Sequence, residues 1–210
     1  MVVRAALALV LVCPSIAAAM PVSVLDTEYT TDVYTDLDFI EETFQRTTVS
    51  ADPVSDSTHT SGDPPNLPFY FADAAASAGL FDLTVETNSR HATANSISEA
   101  SITFSPWVTA SALLQVNVDL VFSYYTQGSL RLLDTTLGEE VWNWGWAYRA
   151  TSTNAMSAAH DAVLFEGHVY VLDMFARSNA RDDQEFVRML LTGLEPTSVP
   201  EPAASEAGAR

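Results

Sequence analysis

Apolar and polar residues alternate along much of the chain between residues 69 and 194, with a period of two rather than the 3.6 of a helix. The clearest run places five apolar side chains on one face, Leu114, Val116, Val118, Leu120 and Phe122. Similar runs occur at 81–86, 129–134, 140–148, 169–176 and 186–194. Thr, Val and aromatic residues, which favour strands, are frequent in them. The pattern predicts an all-β fold, an antiparallel β-sandwich or jelly-roll-like domain of about seven to nine strands over residues 69–194.

The segments on either side of this domain lack the alternation. Residues 20–68 are predicted as an irregular acidic segment that ends in a Pro/Ser/Thr-rich loop over 47–68, although 21–46 could add an edge strand. The tail at 195–210 has three Pro and no apolar run, which predicts disorder. Inside the domain, the Ala-rich segments 73–78 and 151–162 could form short helices instead of strands.

The first 19 residues have the pattern of a secretory signal peptide. Arg4 precedes an apolar run at 5–12, and Ala17 and Ala19 supply small residues at the −3 and −1 positions of a cleavage site. The run is much shorter than the roughly 20 residues that span a bilayer. Cys13 is the only cysteine and would leave with the leader, so the mature chain is predicted to have no disulfide and no thiolate metal site. A lipoprotein site is disfavoured because Val12, which is not small, precedes that cysteine.

Charge narrows the classes of function. The 210 residues carry 27 acidic and 9 basic side chains, a formal net charge of −18, and every basic residue is Arg. Phosphate backbones and anionic lipids would be repelled, which excludes nucleic-acid binding. Schiff-base chemistry and phosphate binding of the Walker type both need a Lys, and the chain has none.

The histidines give no catalytic or metal-binding motif. The chain has four of them, His59, His91, His160 and His168. None forms a metal-ligand spacing with another, and the chain has no zinc-protease, nucleophile-elbow or P-loop motif. His160 and His168 could form a spatial pair, but we interpret the histidines as surface or loop-supporting residues.

The carboxylates are abundant but do not form a defined pair. Glu139 and Glu140 are neighbours, so on a strand they face opposite ways and cannot flank one glycosidic bond. The acidic runs at 26–38 and 182–185 could bind calcium, but neither has the Gly-kinked loop of a dedicated site. No catalytic residue, metal site or cofactor is therefore predicted, and calcium binding is left open.

The segment 141–148 is unusually rich in aromatic residues. On a strand, four of its side chains share one face, Trp142, Trp144, Trp146 and Tyr148. They could form either an aromatic core layer or a flat platform on which sugar rings stack. We favour the core, because three exposed Trp would make an apolar patch and because Asn143, Gly145 and Ala147 suit a solvent face.

A motif at the C-terminal end resembles the PEP-CTERM sorting signal of exported Gram-negative proteins. It consists of Val199, Pro200, Glu201 and Pro202, and it follows a strand-rich body, a signal peptide and a cysteine-free mature chain. In that family the motif precedes a membrane span and an Arg-rich end. Here AASEAGAR follows, with no span and one Arg. The resemblance implies a destination, the cell surface or extracellular matrix, and not an enzymatic activity.

These observations together predict an exported, non-enzymatic surface or matrix protein of a Gram-negative bacterium. Extracellular polysaccharide or other matrix components are the expected partners, with neither nucleic acid nor a stable membrane span in the mature chain. The alternative is a carbohydrate-binding module or polysaccharide hydrolase that uses the Trp142, Trp144 and Trp146 strand.

Overall fold

The computed structural model describes residues 23–37, 42–62, 70–90, 94–107, 111–123, 126–148, 154–180 and 184–198. Twelve β-strands occur in these ranges. They are β1 (Ser23–Leu37), β2 (Glu42–Ser50), β3 (Val54–Gly62), β4 (Tyr70–Gly79), β5 (Asp82–Arg90), β6 (Ala94–Trp107), β7 (Ser111–Phe122), β8 (Thr126–Asp134), β9 (Glu139–Tyr148), β10 (Asn154–Phe165), β11 (Tyr170–Asn179) and β12 (Gln184–Ser198). No helix that is long and apolar enough to cross a membrane occurs among these residues.

The strands form two antiparallel sheets of six strands each. Sheet I has the order β2-β1-β6-β11-β8-β9, and sheet II has the order β10-β7-β12-β5-β4-β3. The sheets pack face to face, and alternate side chains of β1, β4, β5, β7, β8 and β11 are buried between them. The predicted all-β antiparallel sandwich is confirmed: nine of the described strands, β4–β12, lie in the region where seven to nine were expected, and β1–β3 precede them.

The core lies between the sheets, where apolar side chains of both meet. The five alternating residues of β7 that the sequence singled out are all buried, Leu114, Val116, Val118, Leu120 and Phe122. At one end Phe81 meets Phe104 edge to face, with ring centroids 5.0 Å apart, and Phe104 stacks on Tyr170 at 5.8 Å. These rings fill the space between the sheets near the β4–β5 turn.

The N-terminal part differs from the expected irregular segment and loop. Residues 23–62 supply β1, β2 and β3, and β1 pairs with β2 on one side and β6 on the other. The sheets therefore begin well before residue 69. Hydropathy shows the alternation poorly because many of the buried positions here are polar: Thr31 and Thr35 on β1 face Asp56, Thr58 and Thr60 on β3.

The two segments proposed as short helices are strands. Residues 73–78 lie in β4, whose alternate alanines are buried: Ala72, Ala74, Ala76 and Ala78. Residues 154–162 lie in β10, which pairs with β7 along its whole length. Helix propensity was overridden because each segment is paired in a sheet; alternate alanines of β4 are also buried, whereas in β10 only Ala162 and Leu164 are.

The predicted terminal segments fall mostly outside the described residues. The signal peptide at 1–19 and the motif at 199–202 belong to this part of the chain, so both stay predictions. The tail was expected to begin at residue 195, but β12 continues to Ser198 and shifts its register on β7 between Leu194 and Thr197.

Candidate functional site

An open groove crosses the outer face of sheet II. Its volume is about 810 Å³, and side chains of β3, β4, β5, β7 and β12 line it. A smaller depression of about 340 Å³ adjoins it and shares Ser57, Ala75 and Glu86 with it. We call the two together the sheet II groove.

Strand register determines which side chains form the groove. One row across the sheet runs from Ser57 on β3 through Ala75 and Glu86 to Arg188 on β12. Ser57 and Ala75 are small, so the surface here is recessed relative to its surroundings. The next row contains bulkier side chains, in the order His59, Asp73, Asn88 and Phe186. The groove is therefore the space above small side chains, beside a row of larger ones.

The charged side chains of the groove are held by partners on neighbouring strands. His59 Nδ1 lies 2.5 Å from Asp73 Oδ1, and Arg188 Nε lies 2.7 Å from Glu86 Oε1. All four side chains are well exposed, so neither pair stabilises the fold by more than about 1 kcal/mol. Their effect is to fix where the polar atoms of the groove lie.

The amides of the groove are also paired. Gln184 Nε2 donates a hydrogen bond to Asn88 Oδ1 at 2.9 Å, which joins β12 to β5. Phe186 lies directly opposite Asn88 and is half-buried. The groove thus combines the aromatic ring of Phe186 with fixed amide and carboxylate groups, a combination typical of sites that bind small polar ligands.

The aromatic strand occupies another place, the edge of sheet I. Trp142 and Trp144 are half-buried and pack against the core, while Val141 and Asn143 point outwards. Trp142 stacks on His160 of β10, with ring centroids 5.0 Å apart, and Trp144 lies 6.0 Å from the same ring. The side chains of Trp146 and Tyr148 lie outside the described part of the structure.

The stack of Trp142 on His160 contains two polar atoms without partners. Trp142 Nε1 and His160 Nε2 are buried, and neither has a hydrogen-bond partner within the described ranges. Trp142 and Trp144 face the opposite sheet, so they do not present a flat row of indoles to solvent. Their packing is that of an aromatic layer at the edge of the core.

His168 supports two turns. Its Nδ1 lies 2.6 Å from Asp134 Oδ2, and Asp134 Oδ1 accepts hydrogen bonds from the backbone N–H groups of Thr136 and Leu137. Burial alone would raise the pKa of Asp134, but His168 and the two N–H groups together hold it below its ordinary value. This geometry ties the β8–β9 turn to the β10–β11 turn. His168 and His160 have different partners, and His91 lies outside the described residues.

The outer face of sheet I is acidic. Glu99 of β6 lies beside Asp32 of β1 and near Asp173 of β11, which pairs with Arg131. Burial raises the pKa of Glu99, and the charges of Asp173 and Asp32 raise it further. Across the residues that the structure describes, no group of three or more His, Asp or Glu side chains could hold a metal ion.

The other carboxylates that the sequence singled out are separate from the groove. Glu139 and Glu140 are exposed at the start of β9. Glu185 is buried and accepts a hydrogen bond from Ser123 Oγ at 2.9 Å, whereas Asp182 and Asp183 lie outside the described residues.

The sequence did not point to the residues of the groove. His59, Asp73 and Glu86 lie on the consecutive strands β3, β4 and β5, and Arg188 comes much later in the chain, on β12. Only the pairing order of the strands brings them together. The one signal in the sequence is that each occupies the polar position of an alternating strand.

Comparisons with known proteins give distant structural likeness alone. No family model and no curated protein matches the chain. An enzymatically active domain of bacteriophage CBA120 tailspike protein 4 is 12% identical with a TM-score of 0.34, over 69% of this chain and 20% of that one. An arabinose-bound MgGH51 α-L-arabinofuranosidase is 12% identical with a TM-score of 0.27, over 67% of this chain and 22% of that one.

A third similar structure is that of Broad Bean Stain Virus, at 8% identity and a TM-score of 0.25, over 96% of this chain and 97% of that one. The chain therefore spans about a fifth of the length of the first two proteins. All three TM-scores are below 0.5, so the likeness carries no argument about function.

Proposed function

We propose that this chain is an exported, non-enzymatic protein of the cell surface or extracellular matrix of a Gram-negative bacterium, and that it acts by binding extracellular polysaccharide. The observation that carries the proposal is the sheet II groove, whose larger part is an open depression of about 810 Å³ on the outer face of a six-stranded sheet. The leader at 1–19 and the Val-Pro-Glu-Pro motif at 199–202 support export and a surface destination.

The geometry of the groove favours binding over catalysis. Asp73 is engaged by His59 and Glu86 by Arg188, so each carboxylate is fixed by a basic neighbour. Glycosidases instead combine a protonated acid with a second carboxylate across the scissile bond. The groove is also open to solvent, whereas enzymes that transfer groups usually enclose the reacting atoms.

Export and the absence of polysaccharide cleavage can be tested with one preparation of the protein. The full chain would be expressed in a Gram-negative host and recovered from the fraction outside the cytoplasm. We expect its N-terminus to be Met20 or a near neighbour, as cleavage after Ala19 requires. Intact Met1 on protein that stays in the cytoplasm would contradict the proposal.

The recovered protein would then be incubated with soluble polysaccharides, and the chain length of each polymer would be followed by size-exclusion chromatography with light scattering. A binding protein leaves chain length unchanged, even at high protein concentration and long incubation. Progressive shortening of any polymer would refute the non-enzymatic role and favour the polysaccharide hydrolase instead.

A further inference from the structure

We infer that the sheet II groove holds an extended, electrically neutral polysaccharide chain that lies across the strands above Ser57 and Ala75. The inference rests on the proposed function and adds to it a site and a ligand class. It assigns binding to a face that the sequence did not single out, and not to the Trp142 strand.

The shape of the groove suits a polymer. Its lining runs from β3 through β4, β5 and β12 to Val121 of β7. Four strand spacings of about 4.8 Å give a length of about 19 Å. The adjoining depression extends it over further small side chains, Ser55, Ser77 and Thr84. A flexible chain of rings can therefore lie along the groove without inserting into the core.

The chemistry of the groove suits sugar hydroxyls. A hydroxyl both donates and accepts, so it is satisfied best where donors and acceptors lie side by side. The groove offers such pairs in Gln184 beside Asn88 and in Arg188 beside Glu86. Phe186 lies between these two pairs and supplies an apolar surface against which the C–H face of a sugar ring can pack.

Charge indicates that the polymer is neutral. The sheet II groove is lined by three carboxylates, Asp73, Glu86 and the buried Asp56, against two permanent cations, Arg46 and Arg188, and one histidine, His59. It therefore has no excess of positive charge, and the whole chain carries −18. A polyuronate or another polyanion would be repelled.

The sheet topology disfavours a peptide. Proteins that bind extended peptides commonly add them as a strand to a free sheet edge. The middle of the groove lies over β4, β5 and β12, each of which is paired with a strand on both sides. Backbone hydrogen-bonding groups in this region are used within the sheet, so only side chains are available to a ligand.

The test is affinity gel electrophoresis of the full mature chain, in gels containing either a neutral polymer (hydroxyethylcellulose or galactomannan) or a polyuronate. Phe186→Ala removes the ring and is expected to weaken binding about tenfold, the equivalent of one aromatic contact. Ala75→Arg fills the floor of the groove and is expected to abolish retardation. Phe44→Ala is the matched control, because Phe44 is an exposed aromatic residue on β2 of the other sheet.

Thermal unfolding of each variant shows whether it is folded. If Ala75→Arg is not folded, the binding of Phe186→Ala alone tests the inference. The inference requires that the wild type is retarded by a neutral polymer and not by the polyuronate. It also requires that Ala75→Arg loses this retardation, that Phe186→Ala weakens it, and that Phe44→Ala keeps it. Groove variants that bind as the wild type does would overturn the inference but leave the proposed binding function intact. Preference for the polyuronate, or no binding to either neutral polymer, would also overturn the inference. Export would still be tested separately, by the N-terminal sequence of the recovered protein.

Discussion

Asp56 makes a buried side-chain contact between the two sheets, from β3 of sheet II to β1 of sheet I. Its carboxylate on β3 is buried and accepts a hydrogen bond of 2.6 Å from Thr31 Oγ1 on β1, in the opposite sheet. Arg46 Nε of β2 lies 2.9 Å from its other oxygen. Burial alone would raise the pKa of Asp56, but Thr31, Thr48 and Arg46 together hold it below its ordinary value.

The cost of removing this carboxylate follows from its partners. Asp56→Ala breaks a hydrogen bond to a charged acceptor and leaves the buried Thr31 hydroxyl unpaired, which costs about 1.5 to 3 kcal/mol. The side chain of Arg46 is 60% exposed, so its ion pair adds no more than about 1 kcal/mol. We expect Asp56→Ala to lower the free energy of unfolding by about 2 to 4 kcal/mol, and Arg46→Ala to lower it by less than about 1 kcal/mol.

Urea unfolding at pH 7 measures these changes by linear extrapolation. In a double-mutant cycle with Thr31→Val, the two losses should sum to more than the loss in the double variant, by about 1 to 2 kcal/mol. Because the pKa of Asp56 is depressed in the folded state, its contribution is present above the unfolded pKa of about 3.9 and is lost as pH falls through the folded value. The difference between wild type and Asp56→Ala should therefore shrink in acid.

A small and additive effect of Asp56→Ala would contradict the contact between β3 and β1. If Asp56→Ala costs less than about 0.5 kcal/mol and its effect simply adds to that of Thr31→Val, then β3 does not pack against β1 through this contact. The packing of β3 against β1 through buried polar side chains would then be wrong.

Two further predictions concern a close approach and a turn. At Gly193 an added Cβ would clash with Phe81 Cβ, so Gly193→Ala should lower the free energy of unfolding by about 1 to 3 kcal/mol. Gly79→Ala, where the nearest atom is 3.5 Å away, should change it by less than about 1 kcal/mol, and equal losses in thermal unfolding would contradict the close approach. His168→Ala should raise the pKa of the Asp134 carboxyl towards its ordinary value, as followed by carboxyl ¹³C NMR; an unchanged pKa would show that the pair does not form.

The sequence predicted the strands whose buried faces carry large apolar side chains. In β7 every second side chain from Leu114 to Phe122 is apolar and buried, so the period of two was visible. In β3 the buried positions carry Asp56, Thr58 and Thr60, which hydropathy cannot distinguish from a polar loop. These side chains are buried at low cost because hydroxyls and a carboxylate of β1 and β3 bond one another across the sheets.

The candidate site could not be predicted for a different reason. Phe186 and Asn88 become neighbours because β12 pairs with β5, although almost a hundred residues separate them. Strand order in a sandwich depends on which long-range pairings bury the most surface, and a single sequence shows the alternation but not the partners. The Trp strand drew attention because its residues are adjacent in the chain, whereas the groove residues are adjacent only in space.

The most direct test of the binding site is a crystal structure of the protein soaked with a neutral oligosaccharide. We expect density for sugar rings above Ser57 and Ala75, with one ring against Phe186 and hydroxyls bonded to Glu86 or Asn88. Density at the Trp142 edge of the sandwich, with the sheet II groove empty, would show that the sugar binds elsewhere.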